Sequence, residues 1–170
     1  EQLKKMMRYW MSAEELAAVD WDVAEHLCSP AELGWGYTIN MQKKDFFGKQ
    51  AMERETPRRR LMGLEWSSED MAELYAAQFR DVPSAPPPDL PAGQFRAFFM
   101  KVLEGGWTSG YAYSPTLRRM ISLARLDRGI QPGDKVQLRW GGFSDEPVAR
   151  IRATVRALPF IAQQRTKNLS

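Results

Sequence analysis

The apolar and polar positions divide the chain into two parts with different periods. Over residues 1–28 helix formers dominate, and Leu16, Val19 and Val23 recur at helical spacing. Ser12, with Glu15 three residues later, gives that helix a capping-box start. Pro30 closes the segment. The run Leu33 to Met41, with Gly34, Trp35, Gly36, Tyr37, Thr38 and Ile39 inside it, favours extended structure. Lys44 to Glu55 reads as a short helix with Asp45 as N-cap, ended by Thr56-Pro57.

Beyond this point the pattern is of short runs with period two. Leu61 to Trp66 reads as a strand, and Glu69 to Arg80 as a short helix or an insertion. Val82 to Pro91 holds five prolines, which can build neither a ladder nor a long helix. It is expected to be an exposed loop outside the fold, with a proline-rich ligand for a partner domain as the alternative. Five further apolar runs follow: Phe95 to Leu103, Trp107 to Tyr113, Met120 to Leu126, Lys135 to Trp140 and Val148 to Leu158. Turn residues separate them, among them Gly105-Gly106, Asp127-Arg128-Gly129, Pro132-Gly133-Asp134 and Gly141-Gly142. Val136, Leu138 and Trp140 alternate with Gln137 and Arg139, as in a half-buried strand. The expectation is an α+β chain. Residues 1–57 form a helix, strand and helix belonging to a partial α/β segment, and residues 58–170 form an antiparallel β-barrel domain.

Composition changes this picture little. At 170 residues, 44% of them hydrophobic, the chain can bury a core. Twenty-four basic residues against 21 acidic ones leave a net charge of +3, which does not argue for nucleic acid. The densest basic run, Arg58-Arg59-Arg60 beside Pro57, reads as a solvated turn rather than a phosphate patch. Cys28 is the single cysteine and His26 the single histidine, so neither a disulfide within the chain nor a His-rich or Cys-rich metal site can form. Cys28 is expected to be a packed thiol rather than a nucleophile, and the compartment a reducing one. No stretch is apolar for long enough to span a bilayer, so no membrane partner is expected and the localisation reads as cytoplasmic. The chain opens on Glu1 rather than Met, which fits a numbering that begins inside a longer gene product.

Candidate chemistry is sparse. The glycines come as turn pairs, not as a phosphate-binding loop. The acidic residues are scattered, and no Ser-His-Asp arrangement has support. No catalytic residue is assigned.

Several motifs nevertheless resemble one family in order and spacing across about residues 30–160. Pro30-Ala31-Glu32-Leu33-Gly34, followed by Tyr37, resembles a Pro-x-Glu-x-Gly segment. Asp45-Phe46-Phe47-Gly48-Lys49-Gln50-Ala51-Met52 resembles Asp-Phe-(Ile/Val)-Gly-(Arg/Lys)-x-Ala-Leu, and Leu61-Met62-Gly63-Leu64 the strand after it. Thr108-Ser109-Gly110-Tyr111-Ala112-Tyr113-Ser114-Pro115-Thr116-Leu117 resembles a Thr-Ser-Gly-x-x-Ser-Pro-Thr-Leu run. Ile121 to Leu126 and Leu158-Pro159-Phe160 continue the match. All of these are motifs of the glycine cleavage system T-protein (aminomethyltransferase) family, which includes folate-dependent demethylases. In this reading Gly48 permits close packing of a helix start, and Gly110 and Pro115 shape a turn.

The resemblance implies the end of a central folate-binding domain followed by a Greek-key β-barrel. The implied function is the C-terminal portion of a tetrahydrofolate-dependent methyl or aminomethyl transferase, inactive on its own. Tetrahydrofolate is the implied cofactor. The implied partners are the missing N-terminal domains of the same protein and a small methylated substrate, with a homodimer as a further possibility. Three residues are carried over as cofactor-binding candidates. Arg165, just past Pro159-Phe160, stands where the family often places a basic residue. Arg118 follows the Ser-Pro-Thr-Leu turn, where many relatives have a small residue, and Tyr113 replaces a common phenylalanine. Arginine suits the carboxylates of a folate tail, although each arginine also reads as a surface charge and Tyr113 as a core ring. Tyr111-Ala112-Tyr113 and Leu138-Arg139-Trp140-Gly141 look more like the bacterial aryl-methyl-ether O-demethylase branch. The alternatives are a non-catalytic folate-binding or interaction module, and the C-terminal module of a flavin-dependent N-methyl dehydrogenase.

Overall fold

The computed structural model describes residues 27–88, 100–141 and 148–161. The helix expected within residues 1–28 and the candidate Arg165 therefore fall almost wholly or wholly outside the described residues.

Five antiparallel strands form one sheet: β1 Arg59–Trp66, β2 Gly106–Ser114, β3 Arg119–Asp127, β4 Lys135–Gly141 and β5 Val148–Arg156, in the order β2-β3-β1-β5-β4. The period-two pattern sets which face is buried. Met62, Leu64 and Trp66 of β1, Met120, Ala124 and Leu126 of β3, Val136, Leu138 and Trp140 of β4, and Ile151, Ala153 and Val155 of β5 all point into one core. Each of the larger aliphatic side chains among them contributes about 1.5–3 kcal/mol by leaving water. The sheet curls until β2 and β4 approach one another, and Met100 to Leu103 bridges the gap. On one side Val102 N–H donates to Gly106 O at 3.0 Å and Thr108 N–H to Met100 O at 2.9 Å. On the other Leu103 N–H donates to Gln137 O at 2.9 Å and Arg139 N–H to Lys101 O at 3.0 Å. Both sheet edges are thereby paired, as in a barrel. The α+β expectation with a barrel-like domain holds.

Three aromatic rings fill the core. Trp66, Tyr111 and Trp140 lie with centroids 5.4–5.8 Å apart in tilted and edge-to-face pairs. The Trp66 indole N–H donates to Ser122 Oγ at 2.9 Å, so a polar atom in the core is satisfied.

Among the described residues there are two short α-helices, the second of which packs on β5. α1, Lys49–Arg54, is shorter than the expected Lys44 to Glu55, and Asp45 does not cap it. Its N-cap is Gly48 at φ 88°, a left-handed conformation that glycine adopts at no steric cost. A Cβ there would meet nothing, so backbone conformation and not close packing accounts for this glycine. α2, Ser68–Ala77, is capped by Ser67, whose Oγ accepts from Asp70 N–H at 3.2 Å.

Several expectations are corrected. Leu33 to Met41 is not a strand; it holds a 3₁₀ turn at Gly36–Thr38, with Thr38 and Ile39 N–H groups bonded locally to Trp35 and Gly36. Pro30 opens a helical turn, in which Leu33 N–H returns to Ser29 O at 3.2 Å; the helix it was expected to close lies outside the described residues. Arg58-Arg59-Arg60 is not a solvated turn: Arg59 is buried in β1 and pairs through Nε with Asp127 Oδ1 at 2.9 Å. Gly110 lies at a bulge within β2, while the turn itself is built at Pro115 to Arg118. Cys28 is exposed, not packed.

The proline segment also departs from expectation in part: Val82 and Pro83 are exposed, but from Ser84 to Pro88 it packs onto the fold. Ala85 and Pro88 are buried. Pro86 O accepts the Trp140 indole N–H at 2.5 Å, and Pro88 O accepts the Tyr75 hydroxyl. Proline lacks a donor but keeps its carbonyl, which suits it to cover aromatic groups that need an acceptor.

Candidate functional site

Tyr113 and Arg118 lie on one hairpin. β2 and β3 pair from Gly106↔Leu126 to Ser114↔Arg119, which leaves Pro115 to Arg118 as the turn. Ser114 Oγ accepts Leu117 N–H at 3.3 Å and holds that turn. Arg118 adopts φ 51°, the one positive φ among the described non-glycine residues. Tyr113 stands two residues beyond the core ring Tyr111 on β2 and is exposed, not a core ring. The hairpin end thus presents a phenol and a guanidinium to solvent, a pair able to receive an anionic, partly aromatic ligand. Where Arg165 lies relative to them falls outside the described residues.

Next along β3, Arg119 begins a row of charges across the outer face of the sheet. Glu65 forms ion pairs with Arg119 at 3.6 Å and Arg156 at 3.1 Å. Arg152 is held by Asp70 and Glu69, with closest contacts of 2.5 and 3.0 Å. Lys135 Nζ donates to Thr154 Oγ1 at 2.7 Å. Of these residues Glu65, Glu69, Arg119, Lys135, Arg152 and Thr154 line an open cleft of about 600 Å³. The arginine beside Asp70 holds its carboxyl below the usual carboxylate range, first through the side-chain hydrogen bond. The cleft arginines and these carboxylates are paired with one another. Among the described residues no group of three or more His, Cys, Asp or Glu could hold a metal ion, and no helix is long and apolar enough to cross a membrane.

A buried carboxylate lies just ahead of the barrel. Glu32 is buried, and its Oε1 accepts the N–H groups of Arg58 at 3.1 Å and Arg59 at 2.9 Å. Its own N–H donates to Ser29 Oγ at 3.2 Å, and Ser29 N–H lies 3.4 Å from Oε2. This is a capping box, and the signal Ser29-x-x-Glu32 was there to be found. Arg125 Nη1 adds a bond to Leu27 O at 2.9 Å. Glu32 and Arg125 thus tie the segment before the barrel to β1 and β3. The glutamate of the Pro-x-Glu-x-Gly motif is an anchor.

No family profile matches the chain. Individual proteins do. The chain is 31% identical over 134 residues to the aminomethyltransferase of Cupriavidus taiwanensis, covering 78% of the chain and 29% of that protein. It is 27% identical over 139 residues to the aminomethyltransferase of Bordetella petrii, covering 81% and 31%. The aminomethyltransferase of Aquifex aeolicus is 27% identical over 129 residues, covering 72% and 29%. The chain belongs to the aminomethyltransferase (glycine cleavage T-protein) family. It spans about three tenths of the length of these relatives. In this chain the motif positions serve the fold: Glu32 anchors, Gly48 starts a helix and Ser114 holds a hairpin turn.

Proposed function

We propose that this chain is the barrel portion of a tetrahydrofolate-dependent one-carbon transferase that moves a methyl or aminomethyl group. The likeness to aminomethyltransferases over more than two thirds of the chain carries the reading. In this reading Tyr113, Arg118 and Arg165 face the folate, with the arginines directed to the carboxylates of its tail. Tetrahydrofolate would supply the accepting nitrogen. The chain's own residues would bind and orient it and close one wall against water. No described residue is placed as an acid or base for the transfer, so the chemistry would lie in the remaining part of the protein.

A second observation supports the incompleteness of the site. Leu27, Trp35, Tyr37, Met41 and Phe47 are all exposed, with Tyr37 at 87%. Such a run of apolar side chains marks a surface that packs against something else. We assign it to the rest of the same protein, and a second copy of the chain is the competing occupant. A transfer assay tests the function. The full-length gene product is supplied with tetrahydrofolate and a panel of aminomethyl, N-methyl and aryl-methyl-ether donors, and folate product is followed by chromatography. At least one donor is expected to yield a one-carbon folate, less of it after Arg118→Ala. No product from any donor class would sink the reading.

A further inference from the structure

The segment from Ser84 to Pro88 is bound the way a proline-rich peptide is bound by a receptor. Ala85 is 3% exposed and Pro88 is fully buried, while Pro86 and Pro87 between them are half-buried. A spacing of three between buried positions is the period of a polyproline helix, which has three residues per turn. The receiving surface meets the segment with side-chain donors. Gln78 Nε2 donates to Ala85 O at 2.8 Å and to Ser84 Oγ at 3.0 Å. The Trp140 indole donates to Pro86 O at 2.5 Å, and the Tyr75 hydroxyl to Pro88 O. A tryptophan, a tyrosine and an amide therefore read three carbonyls of a segment poor in donors of its own. Aromatic-lined grooves recognise proline-rich peptides by this chemistry.

The groove is preformed on rigid elements. Tyr75 and Gln78 come from the end of α2, one in its last turn and one at its C-cap. Gln78 is further fixed by Leu74 O at 3.1 Å. Trp140 belongs to β4 and is held in place by Trp66 and Tyr111.

We propose that the corner between α2 and β4 is a polyproline-recognition site, occupied in cis by Ser84–Pro88. Its ligand class is a proline-rich peptide with apolar residues three apart, and it accepts such a peptide in trans once its own segment is loosened. The site is independent of the one-carbon reading.

The test uses the whole chain labelled with nitrogen-15 and follows the indole N–H resonance of Trp140. In the variant Pro86→Gly/Pro87→Gly/Pro88→Gly the stiffness of the segment is lost and this resonance moves. Adding a synthetic peptide of residues 81–88 returns it towards the wild-type position. The same peptide with aspartate in place of Ala85 and Pro88 does not. Wild-type chain, whose groove is filled, shows no shift with either peptide. An unmoved resonance in the variant, or a well-dispersed variant spectrum that ignores the peptide, would overturn the proposal. If the triple variant loses its amide dispersion, Tyr75→Phe decides. It keeps the ring and removes one donor, and solvent exchange of the Trp140 indole proton should then rise about three- to tenfold. An unchanged exchange rate in Tyr75→Phe also refutes the proposal.

Discussion

Replacing Glu32 by alanine should destabilise the chain far more than a surface change does. The carboxylate accepts two backbone N–H groups, from Arg58 and from Arg59. Arg59 is 5% exposed, so its amide finds no water when the acceptor goes. A hydrogen bond to a charged acceptor contributes about 1.5–3 kcal/mol, and an orphaned buried donor costs about as much. The Arg58 amide sits at a more exposed position and rehydrates, so it adds less. The capping-box contacts with Ser29 are long, and their loss adds about 0.5–1 kcal/mol. Together these give about 2–4 kcal/mol, or a fall in Tm of about 5–10 °C for a chain of this size. Glu32→Gln keeps an acceptor oxygen at the same place and should recover at least half of the loss. Urea unfolding followed by tryptophan fluorescence measures both, since Trp66 and Trp140 report on the barrel to which Glu32 is anchored. A Glu32→Ala midpoint within about 0.5 kcal/mol of wild type would refute the anchoring argument.

Other outcomes follow from the same geometry. A Cβ on Gly63 would lie 2.5 Å from Phe160 Cζ, so Gly63→Ala should destabilise the chain, and Phe160→Ala in the same chain should relieve part of that loss; strictly additive effects in a double-mutant cycle would show that the two do not meet. Asp70, titrating below its ordinary value because of Arg152, contributes stability that is present above the unfolded carboxylate pKa and is lost as pH falls through the lower folded value. Asp70→Asn should therefore flatten the decline in stability below about pH 4, by at most ~1 kcal/mol at this half-exposed pair, and an acid limb identical to wild type would contradict the assignment. Cys28, being exposed, should react with an aromatic disulfide reagent in native buffer at one thiol per chain, and protection until denaturant is added would contradict its placement.

How much of this was legible in the sequence depends on whether a pattern is local. The strands were, because alternation such as Val136, Leu138, Trp140 is fixed by the pleat and needs no knowledge of partners. The bounds of β1 were short by two residues, because Arg59 and Arg60 look like solvent-facing charges until Asp127 and the Ile130 carbonyl come within reach. Leu33 to Met41 has the composition of a strand, yet its donors are satisfied within the segment. Prolines 86 to 88 forbid a ladder, and locally that pattern implies exposure; their burial comes from distant aromatic donors that no local rule can see. Of the candidate site, Tyr113 and Arg118 share a hairpin end, and Arg118 is exposed as its surface-charge reading had it, but the exposure of Tyr113 in place of a core position appears only in the fold. Glu32 was legible as a capping box, while its second role on β1 spans 27 residues of sequence and was not.

Calorimetry with tetrahydrofolate tests the central claim most directly. The titration is run on the 170-residue chain, on the full-length gene product, and on that product carrying Arg118→Ala or Arg165→Ala. A small-ligand site gains most of its affinity from enclosure, and an exposed arginine–carboxylate pair contributes only about 0–1 kcal/mol. The account predicts saturable binding by the full-length product, weakened severalfold by each substitution, and weak or no binding by the chain alone. Full-length protein that fails to bind tetrahydrofolate, or micromolar binding by the chain alone that is lost on Arg165→Ala, would contradict it.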